Sequence, residues 1–130
     1  MPRKYTVTNP ARLREKHFMR LVEVLDKAPY KNIKCPAVEQ YDDGEFAQII
    51  FDAKFDFLEQ SFLVAFKLDS GYAGGMNYVR ERRKRAAAKE LGLPLIWLSR
   101  HATAEEVRIE LIKGVMVILR DKVIGSGILD

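Results

Sequence analysis

Apolar Leu13, Phe18, Leu21, Val22, Val24 and Leu25 recur at mostly helical spacing, leaving Arg14, Glu15, Arg20, Glu23 and Lys27 to the other faces. Asn9 suits the N-cap ahead of them, and Pro10 the first helical position, where its missing N–H would be unpaired anyway. The pattern predicts a helix from about Pro10 to Lys27, ended by Ala28-Pro29. A second helical stretch, from about Tyr78 to Leu91, is Ala-rich inside and stops at Gly92, a residue that readily takes the left-handed conformation after a helix end. The third follows Thr103-Ala104-Glu105-Glu106, whose spacing lets the Thr hydroxyl and a Glu carboxylate satisfy each other's exposed backbone donors. Val107, Leu111, Ile112, Val115, Ile118 and Leu119 carry its apolar stripe onward, although Gly114 and the run from Val115 to Leu119 leave a strand from 115 open.

Between the first two helices the period shortens. Ile33 to Gln40 is short and extended, with Pro36 restricting it to an edge strand or a strand start. After the turn Asp42-Asp43-Gly44, the segment from Phe46 to Phe57 is rich in β-branched and aromatic residues and predicts a strand ending close to Asp56. Leu58 to Ser61 connects it to Phe62-Leu63-Val64-Ala65-Phe66, apolar at every position as in a strand buried on both faces. Leu93 to Leu98 makes a further strand. Strand, helix and strand in this order suggest a parallel crossover. The expected fold class is therefore α/β: a mixed central sheet flanked by helices, in one domain spanning residues 1–130, with a flexible start over residues 1–8.

Composition narrows the classes. Hydrophobic residues make up 48% and charged residues 31%, a globular balance. No stretch approaches the roughly 20 apolar residues of a membrane-spanning helix, and Met1 to Tyr5 lacks the apolar core of a secretion signal, so no membrane partner and a cytoplasmic location are expected. Cys35 is the single cysteine, which excludes an internal disulfide and a thiolate metal cage. The glycines at 71, 74 and 75 have neither Walker spacing nor a following Lys-Ser/Thr, so no nucleotide cofactor is expected there.

Net charge is +4, but its distribution is uneven: Arg80, Arg82, Arg83, Lys84 and Arg85 place five cations among six residues. Such a run is either a solvated helix face or a phosphate-contacting one. With Tyr78, which could stack on a base, these residues form the candidate nucleic-acid-binding set, the polymer being DNA or RNA. Asp56 and Asp69 close two successive strands. If those ends converge they place two carboxylates within reach of one divalent cation, with Glu15 on the first helix as a third. Asp52 and Lys54 read as the exposed face of a half-buried strand, Asp52 being a reserve ligand. His17 reads as a surface or partly buried helical residue, and Trp97 as core.

The order of elements, Phe55-Asp56-Phe57, Ala65-Phe66-Lys67-Leu68-Asp69 and the helix ending in Gly92-Leu93-Pro94-Leu95 together resemble the PD-(D/E)XK nuclease superfamily, over roughly residues 12 to 112. The resemblance implies a restriction-endonuclease-like fold and Mg²⁺-dependent hydrolysis of phosphodiester bonds. Asp56, Lys67, Asp69 and Glu15 would form the catalytic set, Asp56 and Asp69 hold Mg²⁺, and the helix from Tyr78 meet the phosphate backbone. The chain departs from the pattern at residue 67, where a lysine stands in place of an acid, and Ala65 supplies no acid two positions earlier. Two readings follow. Lys67 and Asp69 share a strand face and form a rearranged site; or the ammonium takes the cation's place and leaves a catalytically degenerate protein acting as a binding, protein-interaction or regulatory module. The oligomeric state is open, a homodimer included.

Overall fold

A computed structural model describes residues 5–6, 16–27, 29–40, 48–67 and 76–125, with the backbone alone given for 5–6, 76–78 and 124–125. Seven strands and three helices lie among the described residues: β1 (Tyr5–Thr6), α1 (Lys16–Lys27), β2 (Lys31–Lys34), β3 (Ala37–Gln40), β4 (Gln48–Phe51), β5 (Ala53–Phe57), β6 (Gln60–Phe66), α2 (Met76–Leu91), β7 (Leu95–Leu98) and α3 (Ala104–Gly125). The main sheet has the order β1-β2-β5-β6-β7, and β3 and β4 form a separate two-stranded sheet. It is mixed: β1 and β2 are parallel, β2, β5 and β6 are antiparallel in turn, and β6 and β7 are parallel across α2.

Strand alternation divides the core into two layers. Phe55, Phe62, Val64, Phe66, Ile96 and Leu98 pack with Phe18, Leu21 and Leu25 of α1 and Val107, Leu111 and Val115 of α3. Leu63, Phe51 and Ile49 pack on the other face against Ala87 and Ala88 of α2. Helices therefore cover both faces, as the strand–helix–strand order implies. The buried run from Phe62 to Phe66 is the sheet centre because β6 has β5 on one side and β7 on the other. Gly114 lets α3 lie close: a Cβ there would come within 2.9 Å of Ile96 Cγ2.

Several local expectations meet a different outcome. The extended stretch expected over 33–40 is two strands, the first of which starts at Lys31, because the Cys35-Pro36 step turns the chain out of the main sheet. The expected single strand over 46–57 is likewise β4 and β5, broken at Asp52, so β3 and β4 continue β2 and β5 as an outlying hairpin. Leu58 and Glu59 form the two-residue β5–β6 turn with φ of 50° and 65°, a mirror-image hairpin turn made without the usual Asn or Gly. α3 stays helical through Gly125, since Val115 continues its buried stripe. The capping box holds: Glu106 N donates to Thr103 Oγ1 at 3.2 Å and Thr103 N to Glu106 Oε1 at 3.3 Å. Tyr5–Thr6, expected in a flexible start, pair with Ile33 and Lys34.

Candidate functional site

Consecutive antiparallel strands place the end of one beside the start of the next. This rule separates the residues that the sequence groups. Asp56 pairs with Ser61 near the turn, whereas Lys67 follows the far end of β6. The six residue steps from Ser61 to Lys67 span on the order of 20 Å. Asp56 and Lys67 cannot share a cation, and the expected convergence of the two strand ends does not occur. Asp69 and Glu15 lie outside the described residues.

Asp56 has a different occupation. Its Oδ1 accepts from Ser61 Oγ at 2.6 Å and its Oδ2 from Asn32 Nδ2 at 2.8 Å, tying β2, β5 and β6 together. The Ser61 bond, then the Asn32 bond, hold its carboxyl below the usual carboxylate range, with Lys54 and Lys34 adding to them and burial opposing. A depressed folded value stabilises the fold above the unfolded pKa of about 3.9 and loses that contribution as pH falls through the folded value. Asp56→Asn is expected to destabilise by about 1 kcal/mol at neutral pH. In urea titrations the gap between variant and parent should close towards acid; a gap independent of pH would assign the loss to packing.

The acid that reaches the end of β6 is Asp52. It is 3% exposed, the single polar or charged side chain among the described residues to be buried. Its backbone N–H donates to Val64 O at 2.9 Å, and its Oδ2 accepts from Phe66 N at 2.9 Å. The cause is geometric. β5 begins at Ala53, so the β5–β6 ladder has no carbonyl left for Phe66, and the carboxylate supplies the acceptor. Cys35 Sγ donates to Asp52 O at 3.3 Å, joining the two points where the chain leaves the main sheet. The expectation of an exposed Asp52 is therefore corrected: the bend between β4 and β5 turns it inwards. Lys54, also read as exposed, is half-buried and pairs with Glu39 at 2.9 Å.

Around Asp52 stand the residues that close β6. Lys67 is exposed, its N–H bonded to Leu98 O at 2.9 Å. His17 of α1 meets Phe66 edge to face at 4.7 Å, so the start of α1 lies at this end of the sheet. Ala65 is fully buried and carries no ligand atom. Among the described residues no group of three or more His, Cys, Asp or Glu side chains is placed to hold a metal. The described donors do not fit a Mg²⁺ site: one Asp52 oxygen is committed to Phe66, Ala65 offers none, and Asp56 is at the opposite end.

No protein-family model, curated protein or solved structure matches this chain.

In a parallel crossover the helix runs back against its strands, so the first turns of α2 lie above the end of the sheet where β6 finishes. Ala87 and Ala88 seat the helix on Leu63 and Phe51. Arg80, Arg82 and Arg85 are exposed, while Arg83 and Lys84 are half-buried. Arg80 forms no ion pair among the described residues. The Arg85 guanidinium lies 5.2 Å from the Trp97 ring centre, which makes Trp97 a half-exposed platform rather than plain core. Such stacking orients a planar fork while leaving its N–H groups to donate. Of Tyr78 the helical backbone alone is described. What sequence reasoning missed is the burial of Asp52, which it placed on an exposed strand face as a reserve ligand. Its signal was present as a charged residue inside an apolar run, Ile49-Ile50-Phe51-Asp52-Ala53, one step beyond a buried Phe.

Proposed function

We propose that this chain is a nucleic-acid-binding protein of the PD-(D/E)XK nuclease fold, catalytically degenerate, whose phosphate-contacting surface is the basic stretch of α2. The observation that carries the reading is the outward placement of Arg80, Arg82 and Arg85 on a helix seated on the sheet by Ala87 and Ala88. Arg82 and Arg85, three positions apart, share one side of the helix and Arg80 extends the cationic surface from another, and their binding to phosphates releases condensed counterions. The order α1, β2, β5, β6, α2, β7 supports the fold assignment, as does an acid and a lysine at one end of neighbouring strands. The absence of an acid at Ala65 and the commitment of Asp52 to Phe66 support degeneracy, and the ammonium of Lys67 serves phosphate better than it serves a cation site.

The test is fluorescence anisotropy with labelled duplex DNA, single-stranded DNA and RNA, first in EDTA and then with Mg²⁺ or Mn²⁺. Binding is expected to persist in EDTA and to fall steeply with salt, and the polymer to remain intact after metal is added. Strand scission that requires the metal would return the reading to a working Mg²⁺-dependent nuclease. Failure to bind any of the three polymers would leave the protein-interaction module.

Among the described residues no helix is long and apolar enough to cross a membrane.

A further inference from the structure

The end of α1, the residues after it, β5 and α3 enclose a cavity of about 380 Å³, within the range of small-molecule sites. Phe57, Ile112 and Met116 make its wall apolar, Lys27 and Arg108 are its two charges, and no carboxylate lines it among the described residues. Glu23 and Glu105, the partners of those cations, line the neighbouring recess between α1 and α3 instead. Tyr30 closes the cavity on the core side. It is 7% exposed, its ring centre 4.2 Å from that of Phe55 and 5.8 Å from that of Phe57. Its hydroxyl has no hydrogen-bond partner among the described residues. A phenol this deep usually finds one. Burial pushes its pKa up, with the Arg108 guanidinium opposing, so at neutral pH it stays protonated and able to donate.

We propose that this cavity binds a small aromatic carboxylate, one oxygen accepting from the Tyr30 hydroxyl and the other from Arg108, with Lys27 adding charge. The donors are in place. Glu105 takes Nε and Nη2 of Arg108, which leaves the hydrogens of Nη1, and Lys27 gives Glu23 one of its three at 3.4 Å. Two cations without an acid select an anion. A phosphate would bring more charged oxygens than these donors can take from water, and the apolar wall would leave the rest desolvated. A wholly apolar molecule would leave the Tyr30 hydroxyl unpaired in a drier place. The Phe57 ring and the Met116 thioether suit an aromatic body. The site is independent of nucleic acid binding, because it lies on the α1 and α3 side and α2 covers the opposite face of the sheet.

NMR titration of the isotope-labelled full chain with phenylbutyrate, and with uncharged phenylbutyramide beside it, tests the site. Saturable binding of the carboxylate is expected, with a Kd of roughly 0.1–1 mM and shifts centred on Tyr30, Ile112 and Met116. The amide should bind about 10-fold more weakly. Arg108→Gln should weaken the carboxylate about 10-fold and leave the amide unchanged, a difference that a fold defect cannot imitate because a damaged cavity loses both. Tyr30→Phe keeps the ring packing and should weaken the carboxylate about 5-fold or more. No saturable shift at these residues, equal affinity for the two probes, an Arg108→Gln chain that loses both alike, or a Tyr30→Phe chain of full affinity overturns the proposal. So do shifts at Ile112 and Met116 that follow protein concentration without a probe, which would assign the face to a second copy.

Discussion

With Arg80, Arg82 and Arg85 all changed to Glu, affinity for nucleic acid falls about 100-fold or more at physiological salt, and the remaining binding shows a shallower salt dependence. The size follows from counterion release: each phosphate contact contributes about 0.9 to the slope of log K against log salt, so three lost contacts flatten the slope markedly. Carboxylates in their place add repulsion. The three side chains are exposed, so the fold is expected to survive the change, which circular dichroism would check. The comparison that gives the result its meaning is the same charge change at Lys27, Lys31 and Lys34, exposed residues of α1 and β2 away from α2. Those substitutions alter the net charge equally, and a loss of similar size from them would show that net charge, rather than α2, binds the polymer.

Asp52→Ala is expected to destabilise the fold by about 2–3 kcal/mol. The substitution removes a charged acceptor from a buried N–H, and the orphaned Phe66 donor then carries its full desolvation cost. For a domain whose whole stability is about 5–15 kcal/mol this is a large fraction, visible as a drop of roughly 10 °C in Tm. Asp52→Asn keeps a carbonyl oxygen at the same place and should cost less than about 1 kcal/mol. The two variants separate structural from catalytic use. A carboxylate held for metal chemistry is a strained feature whose removal leaves stability unchanged or raised. An Asp52→Ala protein with an undiminished Tm would therefore reopen the case for a working metal site at the end of β6.

The two results together would test the proposal that a nuclease-like scaffold has lost its reaction and kept its ligand. Binding rests on exposed cations, each of which acts almost independently through the field it presents to phosphate. Catalysis in the proposed nuclease ancestry would rest on a constellation of donors, which the lysine at position 67 in place of an acid would break. Surface electrostatics survive one substitution at a time; a coordination shell does not.

Most of the architecture is legible in the amino-acid order. The helical period of α1, the capping box of α3, the Gly92 stop of α2 and the fully apolar centre of β6 each follow from local stereochemistry or from a burial pattern repeating over a few residues. The adjacency of β5 and β6 and the parallel crossover through α2 follow from short connections. The basic stretch of α2 is a matter of composition, and the structure leaves Arg80, Arg82 and Arg85 exposed. What tertiary structure alone decided is which side chains meet. Asp56 and Lys67 each stand near a strand end in the sequence, yet an antiparallel hairpin carries them to opposite ends of the sheet. Asp52 is one polar residue in an apolar run, and its role arises from a bend that depends on β3 and β4 leaving the sheet together, with Cys35 and Asp52 at the two departures. Local propensity sets the elements because it acts between near neighbours along the chain. A site is made by residues 14 or 15 positions apart, and their meeting is set by the register of a ladder that no short window of sequence contains.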